Sequence, residues 1–264
     1  MSTTAQAEPD ARQSENTGYY VYGIMPADIE ITDQAAGVGD PPGELRIVRT
    51  DDLAALVSEV DVSRPLGSPE DLQAHKQILD DTAADVPVLP LRFGAVLASE
   101  QAVRDELLEP HHDEFAAALE ELEGRVQYVV KGRYEEDAIL NEVLSEDPAA
   151  ADLADQIRGK DADATRDARI RLGEAINEAI ANKRVEDTRA FGDAVADVCV
   201  ASVVRDPTHE RDAVHVALLV ESEQEDEFQS VVDRLAKDWT GRIQLRLLGP
   251  MAAYDFVGTT GSAE

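Results

Sequence analysis

Between Tyr134 and Val198 the chain drops strand-type alternation and reads almost wholly as helix, with one break at Asp147-Pro148. No other feature restricts the fold as much, because whatever lies on either side must be built around that helical block. Ile170, Ile176 and Ile180, then Phe191, Val195 and Val198, recur at spacings near three, four or their multiples, as on one side of a helix. An unbroken helix from Ala164 to Ala196 would run roughly 50 Å at 1.5 Å per residue. That length suits a helical hairpin or a coiled-coil arm. Two shorter helices meeting between Val185 and Thr188 fit the same letters.

Both flanks are mixtures of strand and helix. On the N-terminal side "YYVYGIM" from Tyr19 is aromatic and β-branched, as strands are. The stretch from Pro26 to Gly43 is glycine- and proline-rich and reads as a loop. "LRIVRT" (45–50) and "LAALVSEV" (53–60) follow as strands, the second also compatible with a short helix. Ser68-Pro69-Glu70-Asp71 is a helix start, with a capping hydroxyl, a proline at the first helical position and acids at the positive dipole end. Leu72, Ile78 and Leu79 should mark the inner side of that helix. "VPVLPL" reads as a strand, a second helix begins at Ser99 and breaks at Pro110, and "RVQYVVK" (125–131) closes the segment as a further strand.

On the C-terminal side "VCVASVV" (198–204) and "VHVALLV" (214–220) form a hairpin around Asp206-Pro207. A helix from Phe228 to Trp239 and the strand "RIQLRLL" (242–248) complete a ββαβ pattern. The plan is α+β with two α+β domains. A polar, disordered tail (1–17) precedes an N-terminal modified ferredoxin-like domain (18–132). The helical arm and the C-terminal ββαβ domain fill 133–249, and 250–264 is a C-terminal tail.

Charge narrows the function. Among 264 residues, 55 acids face 24 bases, a formal charge of −31, and the bases are mostly arginine. Abundant acid with sparse lysine is the solvated surface expected in a high-salt cytoplasm, and net charge of this size reports on solubility and environment. Such a surface repels phosphate backbones and anionic headgroups, so neither nucleic acid nor membrane is expected as a partner. The single Cys199 leaves no intrachain disulfide framework. The N-terminal letters hold no apolar leader segment, so the expected location is the cytoplasm.

Catalytic motifs are sparse. GxSxG, P-loop, GxGxxG and HExxH strings are missing from the sequence. His111-His112, beside Asp113 and Glu114, could be argued as a metal cluster, although neighbouring helical side chains diverge. His215 on its strand could serve a haem. A ligand-sensing or haem/metal-binding protein built from paired ferredoxin-like units is therefore the alternative reading. The expectation is a non-enzymatic protein with no cofactor and no metal.

One stretch asks for a different explanation. "VPVLPLRFGAVLAS" (86–99) places Arg92, Phe93 and Gly94 at the end of a core-like strand. A guanidinium is costly to bury unpaired, so Arg92 should meet a carboxylate or backbone carbonyls. Phe93 adds apolar area and Gly94 permits a turn that a β-carbon would strain. Together with Pro250, Tyr254 and Phe256 these residues are candidates for a domain lock or a partner surface, in which the tail after Pro250 folds back near Arg92.

Three stretches taken together, "GYYVYGI" (18–24), "VLPLRFGAVL" (88–97) and "GRIQLRLLGPMAAYDFV" (241–257), resemble the gas vesicle accessory protein family GvpL/GvpF. The last departs from the family's Gly-Pro-Trp-Pro-Pro-Tyr string: Met251, Ala252 and Ala253 replace its Trp-Pro-Pro portion, while Gly249, Pro250, Tyr254 and Phe256 still fit. The resemblance implies an N-terminal modified ferredoxin-like domain and a C-terminal α+β domain with a coiled-coil arm. It also implies an assembly or accessory role, or that of a minor shell component, in gas-filled flotation organelles. The implied partners are the small hydrophobic shell subunit and other accessory proteins, and the implied location is the cytoplasm and the gas vesicle.

Overall fold

The computed structural model describes residues 16–29 and 35–257. Nearly all of the N-terminal tail (1–17) and the end of the C-terminal tail lie outside the described residues. The chain divides into two compact units. One holds the chain up to Val126 together with the segment from Pro250 onward; the other is Gln127–Gly249.

The first unit is built on strands β1 (Thr17–Pro26), β2 (Leu45–Arg49) and β3 (Leu53–Asp61), with the short β4 (Leu89–Pro90) and β5 (Val96–Leu97). The sheet order is β2-β3-β1-β4, with β5 also pairing β1. The aromatic, β-branched β1 is buried along most of its length because strands lie on both sides of it. It runs antiparallel to β3 from Thr17↔Asp61 to Pro26↔Leu53, with a register shift between Val21 and Gly23. The ambiguous 53–60 stretch is a strand, and its position between β2 and β1 explains why it reads as a continuous apolar run. "VPVLPL" contributes less strand than expected, only Leu89–Pro90. Pro87 and Pro90 have no N–H to give a ladder.

Helix α1 (Pro69–Asp85) starts as its letters require: Ser68 Oγ accepts from the Asp71 N–H at 3.1 Å, and Asp71 Oδ2 accepts from the Ser68 N–H at 3.0 Å. Its inner face differs from the expected one. Leu72 is half exposed, and the buried residues are Asp71, His75, Ile78 and Leu79. Asp71 faces inward because its carboxylate also receives the N–H groups of Gly39 and Gly67, at 2.8 and 3.0 Å. A capped turn α2 (Glu100–Ala102) runs into a π-helical segment (Val103–Leu108), and α3 (His112–Leu122) follows the break at Pro110.

The second unit begins within the strand expected to close the first domain. Strand β6 (Arg125–Tyr134) lies between β8 (Asp212–Glu221) and β9 (Ile243–Met251) in a sheet of order β7-β8-β6-β9, where β7 is Ala201–Val204. This places the boundary between compact units at Val126/Gln127 instead of Gly132. Central strands are covered on both faces, and the near-continuous burial of β6 and β8 follows from that position. With β6 included, the expected ββαβ pattern becomes βαββαβ, with one helical connection after β6 and another, α7 (Glu225–Asp238), after β8.

The connection after β6 holds α4 (Glu136–Glu146), α5 (Pro148–Ile157) and α6 (Arg166–Val195). Asp147 ends α4 and caps α5, accepting from the N–H groups of Ala149 and Ala150 at 2.8 and 3.2 Å, with Pro148 at the first position. Helix α6 is one unbroken helix of 30 residues, so no break occurs between Val185 and Thr188. Its buried positions include Ile180, Phe191 and Val195, whereas Ile170 is half exposed.

Candidate functional site

The Phe93-Gly94 turn belongs to a cluster in the first unit that mixes apolar packing with neutral hydrogen bonds. Tyr20 and Tyr22 point from β1 into this core, and His75 reaches it from α1. The Tyr20 hydroxyl accepts from the Gly94 N–H at 3.2 Å, which leaves its own proton for His75 Nδ1 at 2.8 Å. Gly94 sits at φ +96°, a conformation that favours glycine, and this turns its N–H back toward Tyr20. The Phe93 ring packs 5.7 Å from Tyr20 and 5.5 Å from His75, edge-on to both. Tyr22 accepts from the Val38 N–H at 2.8 Å and shares a hydrogen bond with Ser58 Oγ at 2.9 Å. Burial pushes both tyrosine hydroxyls above their ordinary pKa. It pushes His75 below the ordinary histidine value, opposed by the Leu91 carbonyl. All three groups are therefore neutral at pH 7.

The tail enters the same cluster. Ala252 is fully buried in it and its N–H donates to Asp80 Oδ1 at 3.1 Å. Tyr254 is half-buried against the cluster, and burial followed by the charge of Asp80 raises its pKa. Phe256 is half-buried and Pro250 is exposed at the end of β9. Arg92 takes no part. It is exposed and forms no hydrogen bond or ion pair among the described residues, contrary to the expectation that it would meet a carboxylate or carbonyls. Its side chain lies on the solvent side of the turn that sends Phe93 inward, so there is no desolvation for a partner to offset.

The second unit contains the ion lock, centred on the first residue of the "RIQLRLL" stretch. Arg242, immediately before β9, grips two carboxylates. Its Nε and Nη2 donate to Glu142 at 2.8 and 3.1 Å, and its Nη1 and Nη2 to Asp187 at 2.8 and 2.9 Å. Lys183 Nζ donates to Glu142 and Glu146, each at 2.6 Å, and the Tyr134 hydroxyl donates to Asp187 at 2.5 Å. The guanidinium also lies 5.6 Å from the centre of the Tyr134 ring. Hydrogen bonding from Arg242, ahead of that from Lys183, drives the Glu142 carboxyl down to about 2. Helices α4 and α6 and strands β6 and β9 are thus tied at one point. The sequence carries no local signal for this, since Glu142 and Arg242 are 100 residues apart.

The histidines make local contacts. His215 is buried, with Nδ1 2.8 Å from the Asp206 carbonyl. His111 is exposed beside Glu114, and His112 is half-buried beside Asp113 and Asp52. Cys199 is a free, half-buried thiol whose pKa is raised by burial. Among the described residues no group of three or more His, Cys, Asp or Glu side chains is placed to hold a metal ion. No helix among them is long and apolar enough to cross a membrane.

Comparison with known proteins matches these units as a pair. The family model described as gas vesicle synthesis protein GvpL/GvpF matches residues 18–258. Gas vesicle protein F of Streptomyces sp. (strain CB03234) is 31% identical over 242 residues, covering 90% of this chain and 98% of that protein. Gas vesicle protein F of Dolichospermum flosaquae is 26% identical, covering 90% of this chain and 96% of its own length. The crystal structure of gas vesicle protein GvpF from Anabaena sp. PCC7120 superposes with a TM-score of 0.76 at 25% identity, over 91% of this chain and 98% of the other. With both units matched across residues 18–258, this chain belongs to the GvpL/GvpF family of gas vesicle proteins.

Proposed function

We propose that this chain acts in gas vesicle formation by presenting surfaces to other proteins, binding the small hydrophobic shell subunit and other accessory proteins without chemical turnover. The observation that supports this most directly is the family match across residues 18–258, which spans both compact units. The use made of the titratable side chains agrees with it. Tyr20 and His75 hydrogen-bond each other inside a core, and Arg242, Glu142, Asp187 and Lys183 saturate one another. Groups so occupied hold elements together.

On this reading the chain works in the cytoplasm at the forming vesicle and keeps an apolar subunit soluble by covering its exposed surface until the wall takes it up. The charge of −31 would keep such a complex dispersed, and in a halophilic cell salt would screen the repulsion within the fold. Co-purification of the shell subunit with the full chain at molar salt is the test. Clean absence of that subunit, under conditions where the chain is folded, rules the shell-binding role out. Deletion of the gene should abolish flotation.

A further inference from the structure

We propose that the uncovered side of α6 binds an amphipathic helix of another protein, one whose apolar seam runs between an acidic flank and a basic one. Helix α5 packs against α6. The covered side of the first half of α6 carries the buried Ala168 with the partly buried Leu172 and Ala175. By the helical repeat of about 3.6 residues, the opposite side carries Arg166, Ile170, Gly173 and Asn177 in one line, all four exposed. Ile170, in the middle of it, is 51% exposed.

That line runs into a cavity. Asn177 is shared with a cavity of about 210 Å³ that Ile176 and Ile180 of α6 and Ile139 and Leu140 of α4 also line. On its rim Arg211 pairs with Glu136 at 2.8 Å, and Glu210 adds a carboxylate. A glycine inside a helix weakens it. Gly173 nevertheless stands in the line, with no atom within 4 Å of where a side chain would begin. A bare position there lets a second helix come close. The face offers helix ridges and no sheet edge, so the form that fits it is a helix.

Charge selects among helices because the two signs are separated across the line. Arg166 and Arg169 fall on one flank of Ile170, and Asp167, Glu174 and Glu178 on the other. Arg171 lies beyond those acids and donates to the Asp167 carbonyl at 3.4 Å. Among the described residues Arg166 has no hydrogen bond or ion pair, and Arg169 donates to the Thr165 hydroxyl at 3.1 Å and meets no carboxylate. Cations at the N-terminal end of a helix oppose its dipole, so helix stability does not account for these two arginines. Flanks of opposite sign set partner and direction when helices pair. The incoming helix therefore lays acid over Arg166 and Arg169 and base over Glu174 and Glu178. Two copies of this chain, each of charge −31, repel one another, so the occupant is another protein.

The test uses the full chain and two labelled helical peptides of roughly 18 residues, about five turns. Both carry a leucine seam and a photo-crosslinker at its centre. One has glutamate on one flank and lysine on the other; its companion has glutamine on both. Binding is measured where each peptide alone is monomeric, at the lowest salt that keeps the circular dichroism spectrum of the folded chain. The charged peptide should bind about tenfold more tightly than the glutamine one and crosslink to α6 between Arg166 and Ile180. Arg166→Glu, which suits a helix N-terminus, should remove that advantage while leaving the glutamine peptide unaffected. Gly173→Gln, a better helix former, should weaken both peptides about tenfold by blocking close approach. The proposal is overturned if the charged peptide does not bind, if it crosslinks elsewhere, or if either variant binds both peptides as the wild type does. It is equally overturned if the wild type is a dimer that Gly173→Gln converts to monomer, since the face would then belong to a second copy. The peptides contain no vesicle protein, so these outcomes are separate from whether the chain binds the shell subunit.

Discussion

The two units fasten their ends with opposite chemistry. In the first, the Phe93-Gly94 turn is held by neutral groups, with Tyr20 and His75 hydrogen-bonded inside an aromatic cluster that also buries Ala252 of the tail, and the Asp80 carboxylate adds one hydrogen bond to the tail backbone. In the second, α4, α6, β6 and β9 meet at a charged node in which Arg242 holds Glu142 and Asp187 while Lys183 holds Glu142 and Glu146. A neutral cluster costs little to desolvate and is indifferent to salt. A partly buried ion node has to recover its desolvation through near-ideal geometry, which the two forked Arg242 contacts supply. In a chain of charge −31 the difference matters, because arginine and lysine are the scarce partners.

The sharpest way to break the comparison is to remove one member of each lock. Arg242→Ala leaves Glu142 with Lys183 alone and Asp187 with the Tyr134 hydroxyl alone, and should cost about 3 kcal/mol, the lower end for a buried pair because the site is partly open. Tyr20→Phe keeps the ring but leaves His75 Nδ1 and the Gly94 N–H without their partner, at about 2 kcal/mol. Chemical denaturation at molar salt measures both. Equal losses would mean that the ion node is worth no more than the neutral one.

Acid separates the locks by where their stability starts to fail. Glu142 is depressed from 4.5 to about 2, so its contribution is complete above pH 4.5 and is lost as pH falls toward 2. His75 is depressed below 6.5, so the folded state resists its protonation and stability falls as soon as pH drops below 6.5. The neutral lock should therefore weaken first. Because acidification also relieves the repulsion of the whole chain, the readout is the difference in denaturation free energy between wild type and His75→Asn or Glu142→Gln across pH. The His75 difference should begin to narrow as pH falls below 6.5, and the Glu142 difference only below 4.5. If the two narrow together, the assignment fails.

The letters reported the neutral lock far better than the charged one. The strand content of "YYVYGIM", the cap at Ser68, the Asp147-Pro148 break and the Phe93-Gly94 turn are local signals, each decided by residues within a few positions. His75 lies four after Asp71 and three before Ile78, on the buried stripe, whereas apolar letters alone select Leu72. Arg242 could not. It alternates with Ile243 like any solvent-facing strand residue, and its partners lie on helices far away in the sequence. The membership of β6 was hidden for a related reason, since a strand buried on both faces carries no mark of which sheet it enters.

The smallest effect completes the contrast. Arg92 is an obligate cation at the end of an apolar run, yet its side chain is exposed and has no partner among the described residues, while Phe93 beside it is packed. A cation with no desolvation to recover and no partner to lose contributes little to the fold, so Arg92→Ala should shift stability by less than about 0.5 kcal/mol. Phe93→Ala, by contrast, should cost about 2 kcal/mol, below the fully buried range because the ring is only partly buried against the core. If Arg92→Ala proved as damaging as Phe93→Ala, the first unit would have to rest on a charged contact that its geometry does not contain, and the division between a neutral and an ionic lock would collapse. A silent Arg92→Ala in folding, combined with reduced binding of other vesicle proteins, would place this arginine on a partner surface.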